Sequence, residues 1–133
     1  MIDVSIGICS RNRSATLEQV LLSLRDQTLG HDRFEVVLVD DGSTDDTAAM
    51  VSRVRSQVDY ALCYLWQPHS ALASARNTGI RAARGQVMLY IDDDVMAHPR
   101  LLEEHLVVHR QYDRCVCNGW VNHVTEAVRP ETP

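Results

Sequence analysis

Lysine is missing from this chain: all 13 of its basic side chains are arginine. Its absence excludes a Schiff-base lysine and the lysine of a Walker-type loop, and leaves guanidinium groups to handle any phosphate or carboxylate. Neither GxGxxG nor GxxxxGK[ST] occurs, so both the dinucleotide fingerprint and the P-loop are excluded. No stretch reaches the roughly 18 apolar residues of a membrane span. The N-terminus carries Asp3 and a strand-like run where a signal peptide would show basic residues and a long apolar core, so a cytoplasmic protein is expected. A net charge of -5 offers no electrostatic footprint for nucleic acid. Cys9, Cys63, Cys115 and Cys117 sit mostly in apolar strand-like runs, which points to reduced thiols packed as small hydrophobes.

What is present is an ordinary globular composition, 45% hydrophobic and 23% charged over 133 residues, enough for one domain but short for an enzyme that must hold two substrates. The expected organisation is a domain over residues 1–125 and a polar tail over 126–133. Val4 to Cys9 has strand character, and Leu17, Val20, Leu21 and Leu24 recur at helical spacing behind Ser14 as N-cap. Glu35 to Val39 is β-branched and nearly continuous, as in a strand buried on both faces. A second helix follows, capped by Ser43 or Thr44, with Asp45 and Asp46 complementing its dipole and Met50, Val51, Val54 and Val58 as its buried stripe. Tyr60 to Trp66 is the third strand. Ser70 to Arg84 is a helix with Leu72, Ala75 and Ile80 inward, ended by a left-handed Gly85. Val87 to Ile91 is the fourth strand, a helix runs from Pro99 through Tyr112, and Cys115 to Val121 is a fifth strand. Strands alternating with single helices give an α/β fold, a mainly parallel sheet with helices on both faces and ligands at the carboxyl ends of the strands.

Three of those strand ends are polar. Asp92-Asp93-Asp94 stands where the fourth strand stops. Two carboxylates 4 Å apart repel by about 4 kcal/mol at an effective dielectric near 20, so clustered acids call for a counter-ion, and hard oxygen ligands suit Mg²⁺ or Mn²⁺ and, with them, a diphosphate. Taken alone, the triplet is equally compatible with a solvated acidic turn. Asp40-Asp41 ends the second strand and Ser10-Arg11-Asn12 the first, and the coincidence on one edge favours a nucleotide site.

The motifs VSIGICSRNR, LVDDGSTDDT, SARNTGIRAARG and YIDDDVMAHP, in that order, resemble the nucleotide-binding half of the family 2 glycosyltransferases, over roughly residues 3 to 121. The resemblance implies a Rossmann-like GT-A nucleotide-diphospho-sugar transferase fold. It implies transfer of a sugar from a nucleotide diphosphate sugar to an acceptor, usually with inversion and with Mg²⁺ or Mn²⁺. Position by position, it implies that Asp41 contacts the nucleobase while Asp40 supports the strand end, and that Ser10 and Arg11 lie along base and ribose. Arg11 departs from the aromatic residue common there. Arg76 would approach the base or diphosphate, with Asn77 and Gly79 serving local packing. In the DxD element Asp94 would be the principal metal ligand, Asp92 a ribose or second metal contact, and Asp93 nearer the donor sugar.

Family members carry a general base for the acceptor hydroxyl well beyond the DxD strand. Here Glu126 and Glu131 are the only acids after the expected fifth strand, in polar, proline-flanked surroundings, so no base is assigned. The chain is expected to be truncated, with a donor site and no complete acceptor site, and to self-associate through the sheet edge thereby uncovered. Two other functions compete: a non-catalytic module that binds nucleotide diphosphate and metal only, and a nucleotidyltransferase, which would usually show a glycine-rich basic loop after the first strand. His105, His109, Cys115 and Cys117 could form a zinc site, although their spacing matches no common zinc module and the plainer expectation is helix-surface histidines and core cysteines. His69 and His98 flank the expected crevice. Trp66 and Trp120 are expected to anchor strands.

Overall fold

The computed structural model describes residues 1–122; Glu126, Glu131 and the 126–133 tail lie outside them. Two strands form its centre. Strand β1 (Val4–Ser10) and strand β2 (Phe34–Asp40) are almost wholly buried, as continuous β-branched runs between two covered faces should be. Strand β3 (Ala61–Trp66) pairs with β2 and strand β4 (Val87–Tyr90) with β1, all parallel, in the order β3-β2-β1-β4. The chain winds outward from β1 to β3 and returns to the other side of β1 for β4. The strand order therefore reverses between β1 and β4, and a crevice opens at their carboxyl ends.

One face of the sheet buries Val4, Ile6, Ile8, Phe34, Val36 and Leu38 against three helices. These are α1 (Ser14–Ser23), α2 (Thr47–Arg55) and α4 (Leu101–Gln111), which supply Leu17, Val20, Leu21, Met50, Val51, Val54, Leu102 and Leu106. Of the expected stripes, Leu17, Val20 and Leu21 in α1 and Met50, Val51 and Val54 in α2 are buried; Leu24 is buried just past the end of α1, and Val58 lies beyond the end of α2 and is half-buried. Helix α3 (Leu72–Ala82) packs on the other face of β1 and β2 and departs from expectation. Ala75 and Gly79 are its buried residues, whereas Leu72 and Ile80 are each 53% exposed. The helix lies close to the sheet because its contact residues are small: Gly79 stands against Val39, Met88 and Tyr90. Gly7 of β1 leaves the room for them, since a Cβ there would stand 2.5 Å from Met88 Cε.

Several boundaries also differ. Gly85 is not left-handed: α3 ends in extended backbone at Ala83, and Gly85 is required by close approach, a Cβ there lying 2.5 Å from the Ser5 nitrogen. Ser14 is the first residue of α1 and makes no side-chain cap bond. Helix α2 begins at Thr47, and Asp45 Oδ1, rather than Ser43 or Thr44, accepts the Thr47 N–H at 3.1 Å. The expected fifth strand is absent among the described residues. From 115 to 122 the chain is irregular, with Val116 and Trp120 almost fully exposed and Gly119 lying beside His105 and Leu101 of α4. Over a helix it has no ladder to join, and unpaired backbone does not form a strand. Trp66 is also largely exposed, and all four cysteines are free and only half-buried. Among the described residues no helix is long and apolar enough to cross a membrane.

Candidate functional site

At the end of β4 the chain leaves the sheet and turns, with the Val95 N–H donating to the Asp92 carbonyl at 3.3 Å. The turn separates the three carboxylates. Asp93 faces inward and is buried, while Asp92 and Asp94 are exposed. Ser10, at the end of β1, donates its hydroxyl to Asp93 Oδ2 at 2.8 Å, and Arg13 Nη1 donates to Asp93 Oδ1 at 2.9 Å. The same guanidinium nitrogen reaches Asp94 Oδ2 at 3.3 Å. Asp93, expected nearer a donor sugar, thus has both oxygens engaged by the protein and anchors the triplet.

The end of β2 divides two adjacent acids between two tasks. Asp40 accepts the Ser43 N–H at 2.8 Å and the Tyr64 hydroxyl at 2.6 Å, which supports the strand end. Burial, and then this bond to Asp40, push the Tyr64 phenol pKa well above its ordinary value. Asp41 accepts from Gln67 Nε2 at 2.8 Å and the Ser70 N–H at 2.9 Å on Oδ1, and meets His69 Nδ1 at 2.7 Å on Oδ2. Burial acts to raise its carboxyl pKa, but the bonds from Gln67, Ser70 and His69 outweigh it and hold the group below the usual value. A carboxylate has about four acceptor positions. By that count Asp41 accepts three bonds, and Asp40 and Asp93 two each.

Asn12, at φ 53°, joins the two loops: its Oδ1 accepts the Thr44 N–H at 2.7 Å and its own N–H donates to Ser43 Oγ at 2.9 Å. A short amide side chain that tolerates left-handed backbone suits that position. Arg11 is exposed beside it. On α3, the Arg76 guanidinium lies 5.6 Å from the centre of the Tyr90 ring, and the Tyr90 hydroxyl donates to the Arg76 carbonyl at 2.8 Å. A cleft of about 650 Å³ brings Arg76, Tyr90, Asp92, His98, His105 and Trp120 together along the open side of β4. Ser10, Asp40, Asp41 and Asp93 lie outside its lining. His69 belongs to Asp41 rather than to a phosphate position.

The suggested zinc constellation does not assemble. His109 Nδ1 and Cys115 Sγ approach to 3.3 Å, but His105 is buried, and among the described residues no three His, Cys, Asp or Glu side chains converge on a metal position. Burial, and then the neighbouring His109, lower the His105 pKa. Sequence reasoning placed Asn12 at a polar strand end without giving it a task, and passed over Arg13, Gln67 and Tyr64. Arg13 meets its partners 80 and 81 positions away, a pairing that no local pattern carries.

Comparison with known proteins decides the family. The sequence model of Glycosyl transferase family 2 matches residues 5–131. The chain belongs to that family. It is 34% identical over 106 residues to validoxylamine A glucosyltransferase of Streptomyces hygroscopicus subsp. jinggangensis, covering 80% of this chain and 25% of that protein. S. aureus TarS 1-349, in complex with UDP-GlcNAc, superposes with a TM-score of 0.73 at 26% identity, covering 83% of this chain and 32% of the other. The mannosyltransferase PcManGT of Pyrobaculum calidifontis, in complex with GDP-Man and Mn²⁺, superposes with a TM-score of 0.72 at 28% identity, covering 84% and 32%. The GT-A fold expected for a family 2 member is the fold observed. The chain spans between a quarter and a third of the length of these relatives.

Proposed function

We propose that this family 2 domain binds a nucleotide diphosphate sugar and serves metal-dependent transfer of the sugar, with inversion, to an acceptor, releasing the nucleoside diphosphate. The observation that carries the proposal is the division of labour at the carboxyl edge. In the triplet, Asp93 is buried and tied to Ser10 and Arg13 while Asp92 and Asp94 stay exposed; at the end of β2, Asp40 is tied to Ser43 and Tyr64 while Gln67, His69 and Ser70 orient Asp41. The complexes of TarS with UDP-GlcNAc and of PcManGT with GDP-Man and Mn²⁺ support a nucleotide-sugar donor and a divalent cation here.

The residues present fit Mg²⁺ or Mn²⁺. These cations take one or two carboxylates and complete their shell with water and phosphate oxygens, so two exposed carboxylates suffice and a protein cage is not needed. Asp94 and Asp92 would hold the ion. When bound, it supplies Lewis-acid stabilisation of the charge that develops on the diphosphate as it leaves. The remaining work belongs to the chain. Asp41 accepts from a ring N–H of the base; Asp40 keeps that strand end in place; Ser10 and Arg11 lie along base and ribose. Arg76, steadied over Tyr90, approaches the base or diphosphate, and a fixed guanidinium pairs with phosphate oxygens at little ordering cost.

Calorimetric titration of the chain with UDP and with GDP, each with and without Mn²⁺, tests this. Metal-dependent binding of one nucleotide, lost in Asp94→Ala, is expected; no binding of either would overturn it. Transfer to an acceptor, if then detected, separates an enzyme from a domain that only binds.

A further inference from the structure

The metal reading of the site, on which this inference rests, leaves Arg13 without a role. We propose that Arg13 is the resident counter-cation of the acid triplet: it holds Asp93 and Asp94 together without metal and yields Asp94 to an incoming divalent cation while keeping Asp93. The two ion pairs made by Nη1 are unequal. The bond to Asp93 is 2.9 Å long, to a carboxylate only 11% exposed whose other oxygen is held by Ser10. The bond to Asp94 is 3.3 Å long, to a carboxylate 52% exposed. Exposed, lengthened ion pairs contribute little, whereas a buried carboxylate stripped of its partner is costly. Arg13 therefore releases Asp94 first and pivots on Asp93.

The consequence is antagonism between one positive charge and another. A divalent cation held by Asp94 would share that carboxylate with the guanidinium charge, and repulsion between charges of +2 and +1 at roughly 5 Å in water-like surroundings would weaken cation binding by about tenfold at low salt. An anionic diphosphate arriving with the cation cancels that repulsion. Arg13 thus couples the two: free cation binds poorly, and cation with nucleotide binds well.

The test uses Mn²⁺ alone, followed by the electron paramagnetic resonance signal of the free ion, on the wild type, Arg13→Gln, Arg13→Lys and Asp94→Ala. Arg13→Gln should bind Mn²⁺ about tenfold more tightly than wild type at low salt. Arg13→Lys, which keeps the charge, should stay near wild type. UDP or GDP should then improve Mn²⁺ binding less in Arg13→Gln than in the wild type. Unchanged or weaker Mn²⁺ binding by a folded Arg13→Gln, with the wild type still binding through Asp94, overturns the role of Arg13 and leaves the metal site standing. Absence of Mn²⁺ binding by every variant, with nucleotide or without, overturns both. Melting without metal supplies a second reading: Arg13→Gln should melt lower than wild type, and adding Asp94→Asn should recover part of the loss. No recovery would show that Arg13 does not act as a counter-charge.

Discussion

The two ends of the sheet use the same chemistry for opposite purposes. At the amino end, Glu35 of β2 is 1% exposed and accepts from Ser5 Oγ at 2.7 Å, from the Arg84 N–H at 2.8 Å and from the Arg84 guanidinium. Ser5 Oγ in turn accepts the Gly85 N–H at 2.8 Å. Every valence there is spent on closing the loop from α3 to β4. At the carboxyl end, carboxylates again meet an arginine, but Asp94 is half-exposed and loosely paired. A carboxylate that is saturated and buried stabilises the fold; one that is exposed and loosely paired is available to a ligand.

That contrast can be broken from either side. The largest effect is expected from Asp94→Ala, which should reduce Mn²⁺-dependent nucleotide binding by a hundredfold or more, in line with about 3 kcal/mol for a lost charged contact, while leaving the unfolding free energy within about 0.5 kcal/mol of wild type. Calorimetry and urea unfolding together check both halves. Glu35→Ala should do the reverse. It orphans Ser5 and the Arg84 N–H and should cost about 2–3 kcal/mol of stability, with nucleotide affinity unchanged in whatever fraction remains folded. Gly7→Ala should cost about 1–3 kcal/mol by overpacking, because Met88 and Tyr90 lie within 2.6 Å of the added carbon; thermal melting measures it.

A smaller effect comes from pH. Burial would raise the Glu35 pKa, but bonds from Ser5 and Arg84 hold it below its ordinary 4.5, and Asp41 is likewise below its ordinary 3.8. The unfolded chain therefore binds more protons in this range, so stability rises with pH. The contribution is complete above roughly pH 5 and lost as pH falls through the lowered folded values. Glu35→Gln should flatten the fall in stability seen in denaturation between roughly pH 5 and 3; an unchanged fall would count against this role of Glu35. The smallest effect concerns the β4 edge. Self-association through it should appear as a concentration-dependent sedimentation coefficient at tens of micromolar; a constant monomer value would count against it.

Local pattern made much of this legible. The strands β1 and β2, the apolar stripes of α1 and α2, and the polar groups at three strand ends follow from runs and periods that a short window contains, because burial on two faces demands continuous apolar residues and burial on one face of a helix demands a period near 3.6. Where contact size rather than hydrophobicity decided packing, the pattern misled: α3 turns Ala75 and Gly79 inward and leaves Leu72 and Ile80 exposed. The segment from Cys115 to Val121 was likewise no strand, because there the chain follows a helix and finds no ladder.

By itself, then, the sequence determined an α/β chain with acids at the carboxyl ends of its strands, since residue type and spacing are local properties. Only the tertiary structure decided which acids are anchors and which are open. Asp93 is closed by Ser10 and Arg13, and Asp41 is oriented by Gln67, His69 and Ser70. Those partners lie 26 to 83 residues away, and whether a carboxylate retains a free valence depends on which donors the fold brings to it.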